Sequence, residues 1–223
     1  MVEEVIMSTR RTFPGPPTPG RALLLTAHPD PDSFNTALAL AWAEGARSKG
    51  VIVEHIDVHE LDFETRLRVA YRGDQPLEPD LARVRDAIAQ AALIAIVTPV
   101  WWGSVPAGLK GVIDRVLLPG WAFAYDDDHR PVQGLVGRSG RVMVTMDAPV
   151  WYDTLRYLGS SRRQLAVATL GFCGLSPVRS RAFGSVATST AEQRARMLSK
   201  ARADGVADGR RVAVAPQLAA HSA

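Results

Sequence analysis

The stretch Arg21–Asn35, RALLLTAHPDPDSFN, decides the fold of this 223-residue chain. Its first part, Ala22–Ala27, is apolar or small throughout and stops at a turn rich in proline and aspartate, which predicts a buried strand followed by a loop. Ser33 stands where a helix N-cap belongs, ahead of apolar residues at helical spacing. A strand, a polar loop and a helix start in this order predict an anion site, because free N–H groups and the positive end of the helix dipole face the loop.

The same alternation of strand and helix continues along the chain. Further strands are predicted at Val51–Asp57, Ala92–Val97 and Arg141–Thr145, with a short one within Pro177–Gly184. Helices are predicted from Pro79, at Ala107–Leu118, at Ser161–Gly171 and within Thr190–Arg202, whereas Pro119–Arg138 is predicted to be a loop. This alternation predicts an α/β fold, a flavodoxin-like three-layer sandwich with a five-stranded parallel sheet in the order 2-1-3-4-5.

In that strand order, three loops meet at one edge of the sheet. They follow Ala27, Val97 and Thr145, each at the carboxyl end of a central strand. The second of them contains two adjacent tryptophans, Trp101 and Trp102. Neighbouring side chains at a strand end point in different directions, so at least one of the two is expected to face the crevice or a partner subunit.

Composition favours one domain, with 47% hydrophobic and 22% charged residues. We expect a disordered N-terminal arm over residues 1–19, which is rich in proline and has too little apolar content to fold alone. A folded domain is expected over 20–203, and a disordered C-terminal tail over 204–223, which is mainly alanine, glycine, arginine and proline beyond Gly205. The formal net charge is +3, and the basic excess lies between Val178 and Arg211. A solvated helix face explains that excess better than nucleic-acid binding, since no aromatic residues are interleaved with it.

The single cysteine, Cys173, excludes an internal disulfide and predicts a small buried side chain in a reducing, cytoplasmic setting. No run of residues approaches the length of a membrane span, and no secretory signal is expected at the N-terminus. The first loop contains neither a GxGxxG turn nor a GxxxxGK[ST] loop, so a dinucleotide-binding Rossmann turn and a P-loop are both excluded there.

Three motifs together carry a resemblance to a known family. They are TAHPDPDSFNTAL at 26–38, TPVWWGSVPAGLKGVIDRVLLPGWAFAY at 98–125, and VTMDAP at 144–149. In combination they resemble the flavodoxin-like NAD(P)H:quinone oxidoreductases, and the similarity runs from about Arg21 to Gly184. The resemblance implies a flavin, FAD with FMN as the alternative, NADPH or NADH as co-substrate, a quinone or related acceptor, and a homodimer.

The resemblance also implies which residues bind the flavin. Its phosphates are expected at His28, Ser33, Phe34 and Asn35, and its ring along Pro99, Val100, Trp101 and Trp102, with Thr145 and the backbone after it near the pyrimidine end. Tyr152 matches a tyrosine proposed to relay charge in relatives, so a catalytic role is expected for it. The third loop departs from the family pattern: Asp147-Ala148-Pro149 replaces the usual glycine pair, and Pro149 lacks an N–H donor.

The mechanism implied by the resemblance is hydride transfer from NAD(P)H through flavin N5 to the acceptor, by ping-pong turnover. Two alternatives stay open. One is a flavin-binding regulatory partner of a potassium-efflux transporter with little catalysis. The other is metal-dependent hydrolysis, for which His28 with Asp30 and Asp32, or Asp126–Asp128 with His129, are candidate ligands; a local turn is the simpler interpretation of both groups.

Overall fold

We describe the fold from a computed structural model. It covers residues 11–70 and 75–219, with side chains to residue 213. The predictions made for residues 1–10 and 220–223 lie outside the described residues.

Five parallel strands form the central sheet. Its strands are β1 (Thr18–Thr26), β2 (Ile52–Asp57), β3 (Ala91–Pro99), β6 (Ser139–Thr145) and β7 (Val178–Phe183), in the order β2-β1-β3-β6-β7. An antiparallel hairpin of β4 (Phe123–Tyr125) and β5 (Pro131–Gln133) lies between β3 and β6 in the chain. Counting only the strands of the large sheet, the order is 2-1-3-4-5, and the predicted five-stranded parallel sheet is confirmed.

Helices cover both faces of the sheet. They are α1 (Phe34–Arg47), α2 (Pro79–Gln90), α3 (Ala107–Val116), α4 (Val150–Tyr157), α5 (Ser160–Arg163), which runs on into a π-helix (Gln164–Gly171), and α6 (Ala191–Ala219). A single 3₁₀ turn (Val58–Glu60) follows β2. None of the helices described in the two covered ranges has the length and apolar composition needed to cross a membrane.

Side-chain alternation along the strands divides the core into two layers. Leu23 and Leu25 of β1 pack with α2, α3 and the π-helix, whereas Ala22 and Leu24 pack with α1 and α6. The central strands β1, β3 and β6 are buried on both faces, so each contains a nearly continuous apolar run, whereas the edge strands β2 and β7 are only partly buried and contain polar residues. Cys173 lies in the first of these layers, and burial raises the pKa of its thiol to about 12, so it is the small buried side chain that was expected.

Two local elements differ from the sequence-based expectation. The segment Pro119–Arg138 is not only a loop, because it contains the β4–β5 hairpin. Helix α4 follows the third loop directly, where no helix was predicted; its buried residue is Asp153, whereas Trp151, Tyr152 and Leu155 are exposed. Its large apolar side chains therefore lie on the solvent side, the reverse of the pattern by which a core-facing helix is predicted.

The prediction of a disordered C-terminal tail is wrong for residues 204–219, because α6 continues through them. Its small residues allow close packing on α1: a Cβ on Gly205 would lie 2.0 Å from the Trp42 carbonyl oxygen. Asp208 is buried there, where it accepts from Trp42 Nε1 at 3.0 Å and from Arg141 Nε at 2.7 Å. Glycine and alanine in this segment therefore mark a helix contact rather than disorder.

The predicted N-terminal arm is likewise ordered over its described part. The Thr12 N–H donates to the Gly120 carbonyl at 2.7 Å, and Arg138 donates to the Gly15 carbonyl at 2.9 Å. β1 then begins at Thr18, within the range predicted to be disordered. Backbone hydrogen bonds and a buried arginine, rather than apolar side chains, hold residues 11–17 against the domain.

Candidate functional site

The three predicted loops meet at the carboxyl edge of the sheet and enclose a cleft of about 180 Å³. Eight of the nine residues predicted to bind the flavin line it, namely His28, Ser33, Phe34, Asn35, Pro99, Val100, Trp101 and Thr145. The remaining one, Trp102, does not line it. Three further residues complete the lining: Met146 and Asp147 belong to the backbone after Thr145 that was expected near the flavin, whereas Val186 was missed from the sequence.

The first loop is held in shape by its own side chains. The Asp30 N–H donates to His28 Nδ1 at 3.1 Å, and the Asp32 N–H donates to Asp30 Oδ1 at 2.9 Å. His28 Nδ1 also lies 3.3 Å from the Asp30 carbonyl oxygen, so both contacts hold this side of the ring on its own loop. His28 therefore shapes the first loop and also lines the cleft.

Helix α1 begins at this loop with two free backbone donors. Ser33 is the N-cap, as predicted: its Oγ accepts from the Thr36 N–H at 3.2 Å, and its carbonyl accepts from the Ala37 N–H at 3.0 Å. In the described part of the chain, the N–H groups of Phe34 and Asn35 have no acceptor. No acidic residue lies in the first turn, so this helix start is suited to an anionic group.

Asn35 connects the first loop to the third. Its Nδ2 donates to Thr145 Oγ1 at 3.1 Å, and it is almost completely buried. Its Oδ1 is also buried and has no partner among residues 11–70 and 75–219. A buried, unpartnered amide oxygen in the cleft lining marks a place where a bound group can donate a hydrogen bond.

The second loop separates its two tryptophans. Trp101 and Ser104 exchange backbone hydrogen bonds of 3.0 and 2.9 Å around Trp102 and Gly103, which both have positive φ, as the central residues of a type I′ turn do. Trp101 turns toward the cleft, with its ring 6.3 Å from that of His28. Trp102 points outward and is fully exposed. The prediction that it packs in the cleft is therefore not met within one chain, and the left-handed turn is the reason.

The third loop is held by a distant segment. The Met146 N–H donates to the Phe183 carbonyl at 3.0 Å, and Asp147 Oδ1 accepts from the Ala187 N–H at 3.0 Å. The Met146 N–H is already bonded within the fold, and Pro149 has no N–H. The backbone donors left in this loop are therefore those of Asp147 and Ala148, whose N–H groups have no acceptor in the described chain. Sequence inspection had located donors here without showing which of them are free.

A cation lies beside the first loop. The Arg194 guanidinium is 5.4 Å from the centroid of the Phe34 ring, and it donates to the Val186 carbonyl at 3.2 Å and to Ser189 Oγ at 3.0 Å. Phe34 and Val186 both line the cleft. Arg194 stood in the basic stretch interpreted as a solvated face, and only the packing of α6 on α1 brings it to this site.

Tyr152, the predicted catalytic residue, lies outside the cleft lining. It is in the first turn of α4, partly exposed, with its ring 5.9 Å from Trp151 and 5.8 Å from Tyr157 in edge-on contacts. One chain alone therefore does not bring its hydroxyl to the residues that line the cleft.

The candidate metal ligands instead form turns. Asp30 accepts from its own loop, and Asp126 Oδ1 accepts from the N–H groups of Asp128 and Arg130 at 3.0 and 2.8 Å. In the part of the chain that the structure describes, no three histidine, cysteine, aspartate or glutamate residues are grouped as a metal site.

The cleft suits a planar group that carries a phosphate. Free N–H groups at the start of α1, beside the His28 ring, supply donors for the phosphate, and the apolar residues Pro99, Val100 and Trp101 form one wall. The free N–H group of Asp147, which also lines the cleft, adds a donor from the third loop. The residues present therefore fit a flavin.

Comparison with known proteins gives the family. Residues 20–204 match the family model described as Flavodoxin-like fold. An uncharacterized NAD(P)H oxidoreductase of Haemophilus influenzae is 32% identical over 174 residues, which are 74% of this chain and 83% of that protein. The chain belongs to the flavodoxin-like family, and it is an oxidoreductase of that family.

Two further proteins are similar to this chain, one in part of its sequence and one in its fold. NAD(P)H dehydrogenase [quinone] 1 of the rat is 29% identical over 126 residues, 47% of this chain and 46% of that protein. An FMN-dependent NADH-azoreductase of Bacillus anthracis, solved in complex with FMN, shares the fold with a TM-score of 0.65 at 18% identity, covering 86% of this chain and 99% of that one.

Proposed function

We propose that this protein is a flavin-dependent NAD(P)H oxidoreductase in which hydride passes through flavin N5 to a quinone-like acceptor by a ping-pong mechanism. The observation that carries the proposal is the meeting of three loops around one cleft with free backbone donors on two sides. Family membership supports the reaction class, and the flavin-bound azoreductase supports the cofactor class. The names of the matched relatives give no support to the transporter-partner alternative.

The residues of the chain have separate tasks in this proposal. His28, Ser33 and the N–H groups of Phe34 and Asn35 hold the phosphate, and Trp101 with Pro99 and Val100 packs on the ring. The N–H groups of Asp147 and Ala148 stabilise negative charge on the flavin, because fixed donors need no reorganisation when charge develops. The protein need not supply a nucleophile.

FAD is the proposed flavin, with FMN as the alternative. Arg194 adds a cation beside the Phe34 ring, beyond the donors that one phosphate needs, and FAD carries a second phosphate, with its adenosine, that FMN lacks. Heat release of the flavin from purified protein followed by chromatography identifies it directly. FMN alone in the extract would contradict this choice and leave the reaction class standing.

A second copy of the chain is proposed to complete the site. At about 180 Å³ the cleft is smaller than the roughly 300–1,000 Å³ typical of cofactor and ligand pockets. Next to it lie exposed apolar side chains of the second loop and α4, here called the aromatic patch: Trp102, Trp151, Tyr152, Leu155 and Leu158. The second loop is bonded to the start of α5, which follows α4 closely, where Ser160 Oγ donates to the Gly103 carbonyl at 2.8 Å. Such a patch is unusual on a monomer.

The homodimer gives Tyr152 and Trp102 a role. Both flank the cleft without lining it, so the proposal places them against the acceptor once a partner closes the pocket. Light scattering after gel filtration should give twice the mass of one chain, and Leu155→Asp should give a monomer that has lost most quinone reductase activity. Leu40→Asp is the matched control, because Leu40 is an exposed leucine on α1.

The central experiment is spectroscopic. Purified protein is expected to be yellow, to bleach when NADPH or NADH is added without oxygen, and to recover its colour when benzoquinone follows. The nucleotide that bleaches it faster identifies the co-substrate. A yellow protein that neither nucleotide bleaches would refute the enzyme proposal, and a colourless protein that does not bind added FAD or FMN would refute the cofactor. A cytoplasmic setting remains a prediction.

A further inference from the structure

A second and larger cavity lies away from the cleft. Its volume is about 680 Å³, within the usual range for small-molecule sites, and it shares no lining residue with the cleft. α2, the end of α3, the segment Leu118–Trp121 and the ordered arm around Thr12–Gly15 form its walls. We call it the arm cavity.

One wall of the arm cavity carries a positive charge that pairs with no acidic residue in the described ranges. The Arg85 guanidinium lies 4.9 Å from the centroid of the Trp121 ring, and Trp121 is buried. In the described part of the chain, no carboxylate is within ion-pair distance of Arg85, whereas Arg83 on the same helix pairs with Glu54 at 3.8 Å. Stacking on an aromatic face leaves the N–H groups at the edge of the guanidinium available to an anion.

A second donor in the lining is buried. Arg115 is completely buried, and its terminal nitrogens bond to Glu78, the Glu64 carbonyl and the Pro76 carbonyl. Its Nε has no partner among the described residues. A buried N–H without an acceptor is rare in native proteins, so this atom marks a place where a ligand oxygen can bind.

The rest of the lining sets the character of the ligand. Pro14, Leu77, Val116 and Leu118 offer apolar surface, and Asp86, the acidic residue among the lining residues, is exposed. We propose that the arm cavity binds a small organic anion with a flat apolar body, whose carboxylate, sulfonate or phosphate is held by Arg85 and Arg115 Nε. This site is independent of the flavin-dependent activity proposed above.

The test uses the flavin-loaded protein and anilinonaphthalene sulfonate, which combines a flat apolar body with an anionic group. Isothermal titration calorimetry is expected to show saturable binding of one probe per chain. Arg85→Ala should weaken binding at least about tenfold, as expected for loss of a charge-assisted hydrogen bond. Arg83→Ala is the matched control and should leave the affinity unchanged, because Arg83 does not line the cavity.

Three results would overturn the proposal. They are no saturable binding to the wild-type protein, equal weakening by Arg83→Ala and Arg85→Ala, and loss of binding in His28→Ala, which would assign the probe to the cleft. Thermal melting of each variant shows whether the fold is retained. If Arg85→Ala does not fold, Arg85→Lys takes its place: it keeps the charge, so it should bind the probe more weakly than the wild-type protein but still measurably. Failure of the flavin experiments leaves this measurement unaffected, and the reverse also holds.

Discussion

The first and third loops of the cleft are built in different ways. Residues 28–36 close on themselves through bonds between near neighbours, from His28 to Asp30 and from Ser33 to Thr36. The loop after Thr145 is fixed instead by residues about 40 positions away, with Met146 bonded to Phe183 and Asp147 to Ala187. The comparison shows that the shape of a binding loop can be set by near neighbours in sequence or by the packing of remote segments. Only the first kind can be predicted from the sequence of the loop.

Asn35→Ala breaks the connection between the two loops and has the largest expected effect. It removes the bond to Thr145 and the unpartnered amide oxygen at the cleft, so the dissociation constant of the flavin should rise about ten- to a hundredfold. Fluorescence titration of the flavin-free protein measures it. Leu40→Ala, an exposed position of the same helix, is the control and should bind normally. An unchanged affinity in Asn35→Ala would mean that the loops hold the flavin independently.

Substitution of Ser33 separates the folding role of the first loop from its binding role. Ser33→Ala removes the helix cap and should lower the free energy of unfolding by about 1 kcal/mol. Ser33→Asp keeps a cap of similar strength but adds a negative charge beside the phosphate site, so stability should be retained while flavin affinity falls severalfold. Urea unfolding and flavin titration of both variants provide the comparison. Equal affinity in wild type and Ser33→Asp would place the phosphate elsewhere.

The same contrast explains how far the sequence could predict this site. The N-cap at Ser33, the strand over Ala22–Ala27 and the parallel sheet follow from short-range patterns; all are present, with the strand ending at Thr26. Trp102 points outward because of a left-handed turn that the sequence WWGS does not predict. Arg194 reaches the site only because α6 is long and packs on α1. Local chemistry is visible in one sequence, whereas contacts between remote segments are not.

Asp147→Asn tests the third loop by changing charge alone. The amide oxygen of asparagine can still accept from Ala187, so the loop should keep its shape while a negative charge is lost from the cleft. The midpoint potential of the bound flavin should rise by roughly 20 mV or less, since the carboxylate is exposed and its field is screened by water. Redox titration with dye standards measures it, and Asp126→Asn in the hairpin is the remote control. A fall in potential would contradict the assignment.

His55 supports the strand that leads into the first loop, and its substitution has the smallest expected effect. Its Nε2 lies 2.9 Å from Thr26 Oγ1, and burial lowers its pKa from the usual 6.5, although Asp57 opposes the shift. Because the unfolded chain binds this proton more readily, stability from neutral His55 is present above pH 6.5 and declines as the pH falls below it. Between pH 7 and pH 5, the free energy of unfolding should therefore fall less in His55→Gln than in the wild-type protein. The difference between the two proteins should be smaller than the loss caused by Ser33→Ala. His59 is an exposed neighbour, so His59→Gln should follow the wild-type dependence of stability on pH. If wild type, His55→Gln and His59→Gln all had the same dependence, burial of His55 would not couple its protonation to folding.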